Sequence, residues 1–176
     1  MNSLFFFRGI SSITLTLCFL LLGLSQSESA HSQTQPFECI DCNLRGIQIG
    51  VEEYLGRNLS GAILLNADLR GSDLSNVVFL GADLRRADLR ASTLTNTFFT
   101  GGADLQDADF RGATMNGTFF TDANLRNADL RGAVLTSGSL ENADLTGAQI
   151  DGFVMVAPFL CNTTMPDGII RNDSCL

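Results

Sequence analysis

The sequence predicts an all-β protein whose chain winds into a coil with four sides. Two nested periods support this prediction. A short motif of Ala, then Asp or Asn, then Leu recurs every five residues, as at Ala67–Leu69 and Ala128–Leu130. A longer segment recurs after 20 and then 21 residues, reading NVVFLGADL from Asn76, NTFFTGGADL from Asn96 and GTFFTDANL from Gly117. Four five-residue units therefore make one turn of the coil.

The central residue of each unit, named position i, is apolar throughout. It recurs every five residues from Leu44 to Phe99 and, after the extra residue Gly102, from Leu105 to Leu160. All 24 central residues are apolar or aromatic, and most residues at position i−2 are small. An α-helix needs apolar steps of three and four, and a flat strand alternates with period two. Positions i and i−2 can both face inward in every unit only if the chain bends after each unit.

Glycine is frequent at position i+2, where each bend falls. The glycines there are Gly71, Gly81, Gly112, Gly132, Gly147 and Gly152. Glycine adopts positive φ without a steric penalty, so we expect a tight turn with positive φ at this position. Neighbouring coils then satisfy each other's backbone groups. About six coils stacked at ~4.8 Å give a rod ~29 Å long.

Residues 1–30 are expected to lie outside the fold. An apolar run, Ile13–Leu24, follows a short basic start and precedes a small, polar stretch, Ser25–Ala30. This is the layout of a secretory signal that is removed on export. The run is short for a transmembrane helix, but a retained membrane anchor is the alternative.

The remaining chain divides into three segments. An N-terminal segment or cap, the coil, and a C-terminal cap or tail occupy residues 31–41, 42–160 and 161–176. Glu52 and Arg57 stand at position i−2, where small inward residues belong. We therefore expect Ile47–Arg57 to form a degenerate first coil or an irregular cap, because the end of a stacked coil must be covered.

Four cysteines remain after the signal, which in an exported chain indicates disulfides. Cys39 and Cys42 lie at one end of the rod, and Cys161 and Cys175 lie at the other, ~25 Å away. A disulfide needs Cα atoms within ~7 Å, so the sequence predicts the local pairs Cys39–Cys42 and Cys161–Cys175. The first pair has two alternatives. One is a zinc site that includes His31, and the other is a redox pair, which normally requires a thioredoxin-like setting.

The tandem Ala-Asp/Asn-Leu units resemble the pentapeptide-repeat family over roughly residues 42–160, most strongly over residues 62–150. This resemblance implies a right-handed quadrilateral β-helix. The early C-x-x-C motif and the tail over residues 161–168 resemble those of exported cyanobacterial members.

Successive units fall on the four sides in rotation. One of these sides, named the charged side, carries two ladders of charged residues with opposite sign. Position i−1 carries Asp68, Asp88, Asp109 and Asp129, and position i+1 carries Arg70, Arg90, Arg111 and Arg131. Like charges ~4.8 Å apart repel, and the adjacent opposite ladder offsets the repulsion. Exposed ion pairs contribute little each, so a self-neutralised, solvated face is the main interpretation and a recognition face is the alternative.

Another side carries apolar residues that point outward. Val78, Phe98 and Phe119 occupy position i−1 in three consecutive coils and are named the apolar stripe. Exposed apolar patches often mark interaction sites. Two interpretations are open: the stripe binds a partner or a second copy, or a neighbouring loop or the tail covers it.

The sequence contains no catalytic constellation. His31 is the single histidine, lysine is absent, and the aspartates occupy exposed repeat positions where burial would not tune their pKa. We expect no cofactor and no metal site. The net charge of −8 also argues against direct nucleic-acid binding.

We therefore expect an exported, non-enzymatic scaffold or protein-interaction module in the periplasm, outside the cell or in the thylakoid lumen. Its partner would be an unidentified protein or a second copy, and it would contact the membrane only through the signal. The family resemblance adds an alternative, an acidic DNA mimic that inhibits a type II topoisomerase. Export and the arginine ladder argue against that alternative.

Overall fold

The computed structural model describes residues 40–41, 43–47 and 58–175, which form a right-handed quadrilateral β-helix. Successive coils pair in parallel after 20 residues, as Asp68 does with Asp88, and after 21 residues across Gly102, as Asp88 does with Asp109. The predicted all-β coil is therefore confirmed. The predicted signal, the Cys39–Cys42 pair and the degenerate coil from residue 48 onward lie outside the described residues.

The regular strands are short because the chain turns after every five residues. A parallel sheet has the order β1-β2-β3, and a C-terminal antiparallel pair joins β4 to β5. The strands are β1 (Thr114–Asn116), β2 (Val134–Thr136), β3 (Val154–Val156), β4 (Thr163–Thr164) and β5 (Ile170–Arg171). Within the described ranges, the chain has no helix with the length and apolarity needed to cross a bilayer.

Each coil is hydrogen-bonded to the coils on both sides. The Leu84 amide donates to the Asp104 carbonyl of the next coil at 2.7 Å, and the Asp83 amide donates to the Ala62 carbonyl of the previous coil at 2.9 Å. A turn closes between units where the Ala87 amide donates to the Leu84 carbonyl at 3.0 Å. Interior backbone groups are thus paired along the rod, as burial requires.

The core consists of the residues at positions i and i−2, as the sequence predicts. Three inward phenyl rings form a stack along one side, with centroids 4.9 Å apart between Phe79 and Phe99 and 5.3 Å apart between Phe99 and Phe120. Phe110 meets Phe99 edge-on at 6.1 Å. All four rings are almost fully buried, and offset-stacked and edge-on pairs are the preferred aromatic arrangements.

Several core positions carry hydroxyl groups, and each of these is hydrogen-bonded. The Thr97 and Thr163 hydroxyls donate to the carbonyls of Leu74 and Leu140 in the preceding coil at 2.8 and 2.7 Å. Among the described residues, no buried side-chain oxygen or nitrogen lacks a partner. The polar residues at position i−2 therefore fit the core without an unsatisfied group.

Every described unit has positive φ at position i+2, which confirms the predicted turn. The turn is not restricted to glycine, since Asn66, Arg86 and Ala91 adopt φ of 57°, 56° and 54°. A left-handed backbone costs a non-glycine residue roughly 1–2 kcal/mol. The pairing between coils fixes this conformation regardless of the residue that occupies it.

Two substitutions in neighbouring coils of the charged side test the cost of this turn. Ala91 has φ of 54° and Gly112 has φ of 68°, and a Cβ on Gly112 would meet no atom within 4 Å. We expect Gly112→Ala to lower the free energy of unfolding by about 1 kcal/mol, and Ala91→Gly to raise it by up to about 1 kcal/mol. Urea unfolding measures both. Shifts of the same sign would contradict this explanation.

Coil pairing extends beyond the predicted end of the coil at Leu160. The Leu145 amide donates to the Thr164 carbonyl at 2.8 Å, and the Gly147 amide donates to the Pro166 carbonyl at 3.0 Å. β5 then returns beside β4, and the Ser174 amide donates to the Leu160 carbonyl at 2.9 Å. The C-terminal tail therefore covers two sides of the last coil.

The tail is fastened by a disulfide, which confirms the second predicted pair. Cys161 and Cys175 are bonded with an S–S distance of 2.02 Å and a Cα–Cα distance of 5.0 Å. The other two sides of the last coil carry Ile150 and Met155, which are partly exposed. Both are exposed because no further coil stacks on those two sides.

Candidate interaction surfaces

The charged side consists of paired ladders in which each arginine binds an aspartate in a forked geometry. Arg70 donates from Nε and Nη2 to the two carboxylate oxygens of Asp68, both at 2.7 Å. The same Nε lies 3.6 Å from Asp88 Oδ2 in the next coil. Arg90 repeats this arrangement with Asp88 at 2.6 Å and with Asp109 at 3.6 Å. The ladders thus form a connected network along the rod.

The network lowers the pKa of its carboxylates. The side-chain hydrogen bond from Arg70 holds the pKa of Asp68 below its ordinary value. The hydrogen bond from Arg131 does the same to the pKa of Asp129. A forked, charge-assisted hydrogen bond stabilises the ionised carboxylate. This side therefore carries charges of both signs at neutral pH. Its arginine and aspartate side chains form ion pairs with one another.

These pKa shifts predict acid destabilisation. The folded pKa is lowered from the ordinary 3.8, so the network stabilises the fold above that pH and is lost as pH falls through the folded pKa values. We expect the urea midpoint to be flat between about pH 7 and 5 and to fall below about pH 4. A variant with Asp68→Asn and Arg70→Gln should fall less steeply. A midpoint that rises on acidification would contradict this prediction.

The apolar stripe lies on the side that carries the inner phenyl stack. Val78, Phe98 and Phe119 pair in parallel from coil to coil and are each half-buried. The Phe98 and Phe119 rings stack with centroids 5.1 Å apart and planes 3° apart. Because the stacked faces cover one another, the ring edges are the part of the stripe that another molecule can reach.

A groove continues from the end of the stripe toward the C-terminal tail. Its volume is about 680 Å³. Its lining joins apolar and polar side chains from three coils and the tail: Phe119, Thr121, Ser137, Gly138, Ser139, Glu141, Ala157, Pro158, Phe159 and Ser174. The repeat pattern does not predict this groove, although the outward position of Phe159 on the same side is a signal of it.

Exposed apolar residues also occur on the last coil and the tail, where the repeat pattern does not predict them. They include Val154 and Val156 of β3, which are 47% and 51% exposed, and Ile169 and Ile170 of the tail hairpin. In residues 40–41, 43–47 and 58–175, no three His, Cys, Asp or Glu side chains lie in a group that would hold a metal ion.

The chain matches a family of repeats and several solved structures. Eight copies of the family described as pentapeptide repeats match residues 58–90, 103–137 and 123–152. A pentapeptide repeat protein from the Arabidopsis thaliana thylakoid lumen is 27% identical, with a TM-score of 0.37, over 60% of this chain and 70% of that chain. No curated protein matches the chain.

Two further structures show the range of these similarities. A pentapeptide repeat protein from the cyanobacterium Cyanothece 51142 is 26% identical, with a TM-score of 0.26, over 81% of this chain and 96% of that chain. QnrB1, a plasmid-mediated fluoroquinolone resistance protein, is 23% identical, with a TM-score of 0.42, over 57% of this chain and 61% of that chain. With its five-residue units, its four-sided coil and its eight matched repeats, the chain belongs to the pentapeptide-repeat family.

Proposed function

We propose that this protein is an exported, non-enzymatic interaction module that binds a protein partner, or a second copy, through the apolar stripe. The observation that carries the proposal is the stacked, half-buried pair Phe98 and Phe119 on the outer surface of the rod. A rigid β-helix holds these rings in fixed register, so little conformational entropy is lost when a partner covers them. Aromatic side chains are enriched at the centres of protein interfaces.

Export is supported by the secretory layout of residues 1–30 and by the Cys161–Cys175 disulfide. Disulfides form and persist in oxidising compartments such as the periplasm, the cell exterior or an organellar lumen. The proposed module would act in one of these three places.

The DNA-mimic alternative has less support. The net charge of −8 favours it, but the aspartates of the charged side are bonded to arginines, as Asp68 is to Arg70 and Asp109 is to Arg111. An imitation of the phosphate backbone needs a run of uncompensated negative charge. The paired ladders remove that run from one side of the rod.

A double substitution tests the proposed surface. We expect Phe98→Ser with Phe119→Ser to reduce partner capture after cross-linking, or to reduce the native mass if the partner is a second copy. Thr93→Ala with Thr114→Ala is the matched control, because these residues pair across the same two coils on another side. The proposal fails if the serine variant changes neither the native mass nor the set of captured proteins.

A further inference from the structure

We propose that the space above Ser139 is a notch for an aromatic side chain that a partner protein presents next to a basic residue. This inference rests on the proposed interaction function and names the chemistry of the partner. It depends on the register of the outward ladder, the shape of the groove and the charge at the edge of the groove.

The notch is an interruption in a continuous outward column. Parallel bridges join one residue from each of six consecutive coils: Asn58, Val78, Phe98, Phe119, Ser139 and Phe159. Four of these six positions are apolar, and three of them are phenylalanine. Ser139 is the one small residue between two phenyl rings, so the ladder lacks a ring at this coil.

The missing ring has a defined place. The Phe98 and Phe119 centroids are 5.1 Å apart with nearly parallel planes. A ring added at the level of Ser139 would continue this spacing, at ~5 Å from Phe119 and within the preferred range for aromatic pairs. The Ser139 hydroxyl instead accepts a hydrogen bond from the Glu141 amide at 3.2 Å. This bond keeps the short side chain at the base of the groove.

Ser139 lies at the base of the groove, where it is 7% exposed and its hydroxyl is 3.4 Å from that of Thr121. Gly138 lines the groove only through its backbone, because a Cβ on it would point into the core, 2.3 Å from the Thr118 carbonyl oxygen and 2.7 Å from Leu135 Cδ1. Phe159 forms the opposite wall and is 41% exposed. An inserted ring would therefore contact a phenyl group on each side and would bury the exposed face of Phe159.

The edge of the groove adds a charge requirement. Glu141 is the only ionisable residue in the lining. In the part of the chain that the structure describes, Glu141 takes part in no salt bridge. A carboxylate at the rim of an apolar notch favours a positive group on the incoming segment. The geometry thus fits an aromatic residue with an adjacent arginine or lysine.

A second copy of this chain does not supply such a segment. After residue 30, the only aromatic residue with a basic neighbour is Phe110, which precedes Arg111. The Phe110 ring is fully buried in the core. The occupant is therefore a different protein.

Titration of the isotope-labelled full chain with three end-blocked peptides tests the notch. We expect Gly-Phe-Arg-Gly to shift the amide signals of Ser139, Glu141 and Phe159 saturably, with a millimolar dissociation constant. Gly-Leu-Arg-Gly, which lacks the ring, and Gly-Phe-Glu-Gly, which reverses the charge, should bind several-fold more weakly. Equal binding of the three peptides, or no saturable binding, would overturn the inference.

Two variants locate the binding. Ser139→Phe places a ring in the notch and should abolish the titration, and its fold should persist because Phe98 and Phe119 occupy the equivalent position. Glu141→Gln should weaken the arginine peptide about twofold to fivefold. Unchanged binding to Ser139→Phe would also overturn the inference.

The experiments distinguish failure of the proposed notch from failure of the proposed binding stripe. If no peptide binds but Phe98→Ser with Phe119→Ser still abolishes partner capture, the notch is wrong and the proposed function stands. If the peptide binds as expected but Phe98→Ser alone, which leaves the notch walls Phe119 and Phe159 in place, captures the same partners as the natural chain, the notch stands and the stripe is wrong.

Discussion

Replacing Phe99 with alanine is expected to lower the free energy of unfolding by about 3–5 kcal/mol. The ring is fully buried, stacks between Phe79 and Phe120, and meets Phe110 edge-on. Its removal would leave a cavity that the rigid coils cannot close, and the neighbouring rings would lose their contacts. Urea unfolding followed by circular dichroism measures the loss.

The adjacent outward residue provides the control for this prediction. Phe98 belongs to the same coil but is half-buried, so Phe98→Ala should cost about 1 kcal/mol. A repeat structure transmits stability mainly between neighbouring coils, and amide exchange in Phe99→Ala should therefore accelerate most in the coils that adjoin it. Equal losses for the two alanine variants would contradict the assignment of Phe99 to the core.

Removing the C-terminal disulfide is expected to cost about 3 kcal/mol. The bond closes a loop with a sequence separation of 14 between Cys161 and Cys175, and without it the tail keeps only its backbone and side-chain hydrogen bonds. Cys161→Ser with Cys175→Ser should therefore increase amide exchange in β5 and at Ser174. The effect should fade toward the middle of the rod because coupling between coils is local.

Reduction of the natural chain is the control for the cysteine variant. If the variant and the reduced chain keep full protection of the Ser174 amide, which bonds to the Leu160 carbonyl, the disulfide is not what holds the tail. Increased exchange throughout the rod would instead show that the tail stabilises every coil.

The sequence alone predicts the coil, its four sides and its core. This is possible because each unit repeats the same requirement, an apolar residue at position i and a small residue at position i−2. An exception such as Phe153 at position i−2 does not hide the pattern. The Cys161–Cys175 pair was also predictable, because the length of the rod separates the two ends. The opposite pair, Cys39–Cys42, stays a prediction.

The remaining features depend on interactions that the pattern does not display. Ala91 adopts the left-handed turn because hydrogen bonds to the adjacent coils outweigh its own preference. The pairing of Thr164 and Pro166 with the last coil was missed, because the tail lacks the Ala-Asp-Leu motif. Thr163 was a usable signal, since it repeats the buried hydroxyl that Thr97 places at position i−2.

The groove was not predicted because it needs both the coil and the tail. Ser139 interrupts the outward column in the sequence, but the wall that Ser174 contributes depends on how the tail returns to the last coil. The stripe itself was predictable from Val78, Phe98 and Phe119. Its half-burial was not, because the rings shield each other by stacking.

The central claim is that the protein acts outside the cytoplasm as a disulfide-fastened interaction module. Cell fractionation with intact-mass measurement of the protein in each fraction tests it most directly. We predict an extracytoplasmic chain that begins between Glu28 and His31 and is lighter by the hydrogens that two disulfides remove. A full-length, reduced chain in the cytosol would contradict the claim and would make inhibition of a type II topoisomerase the next activity to assay.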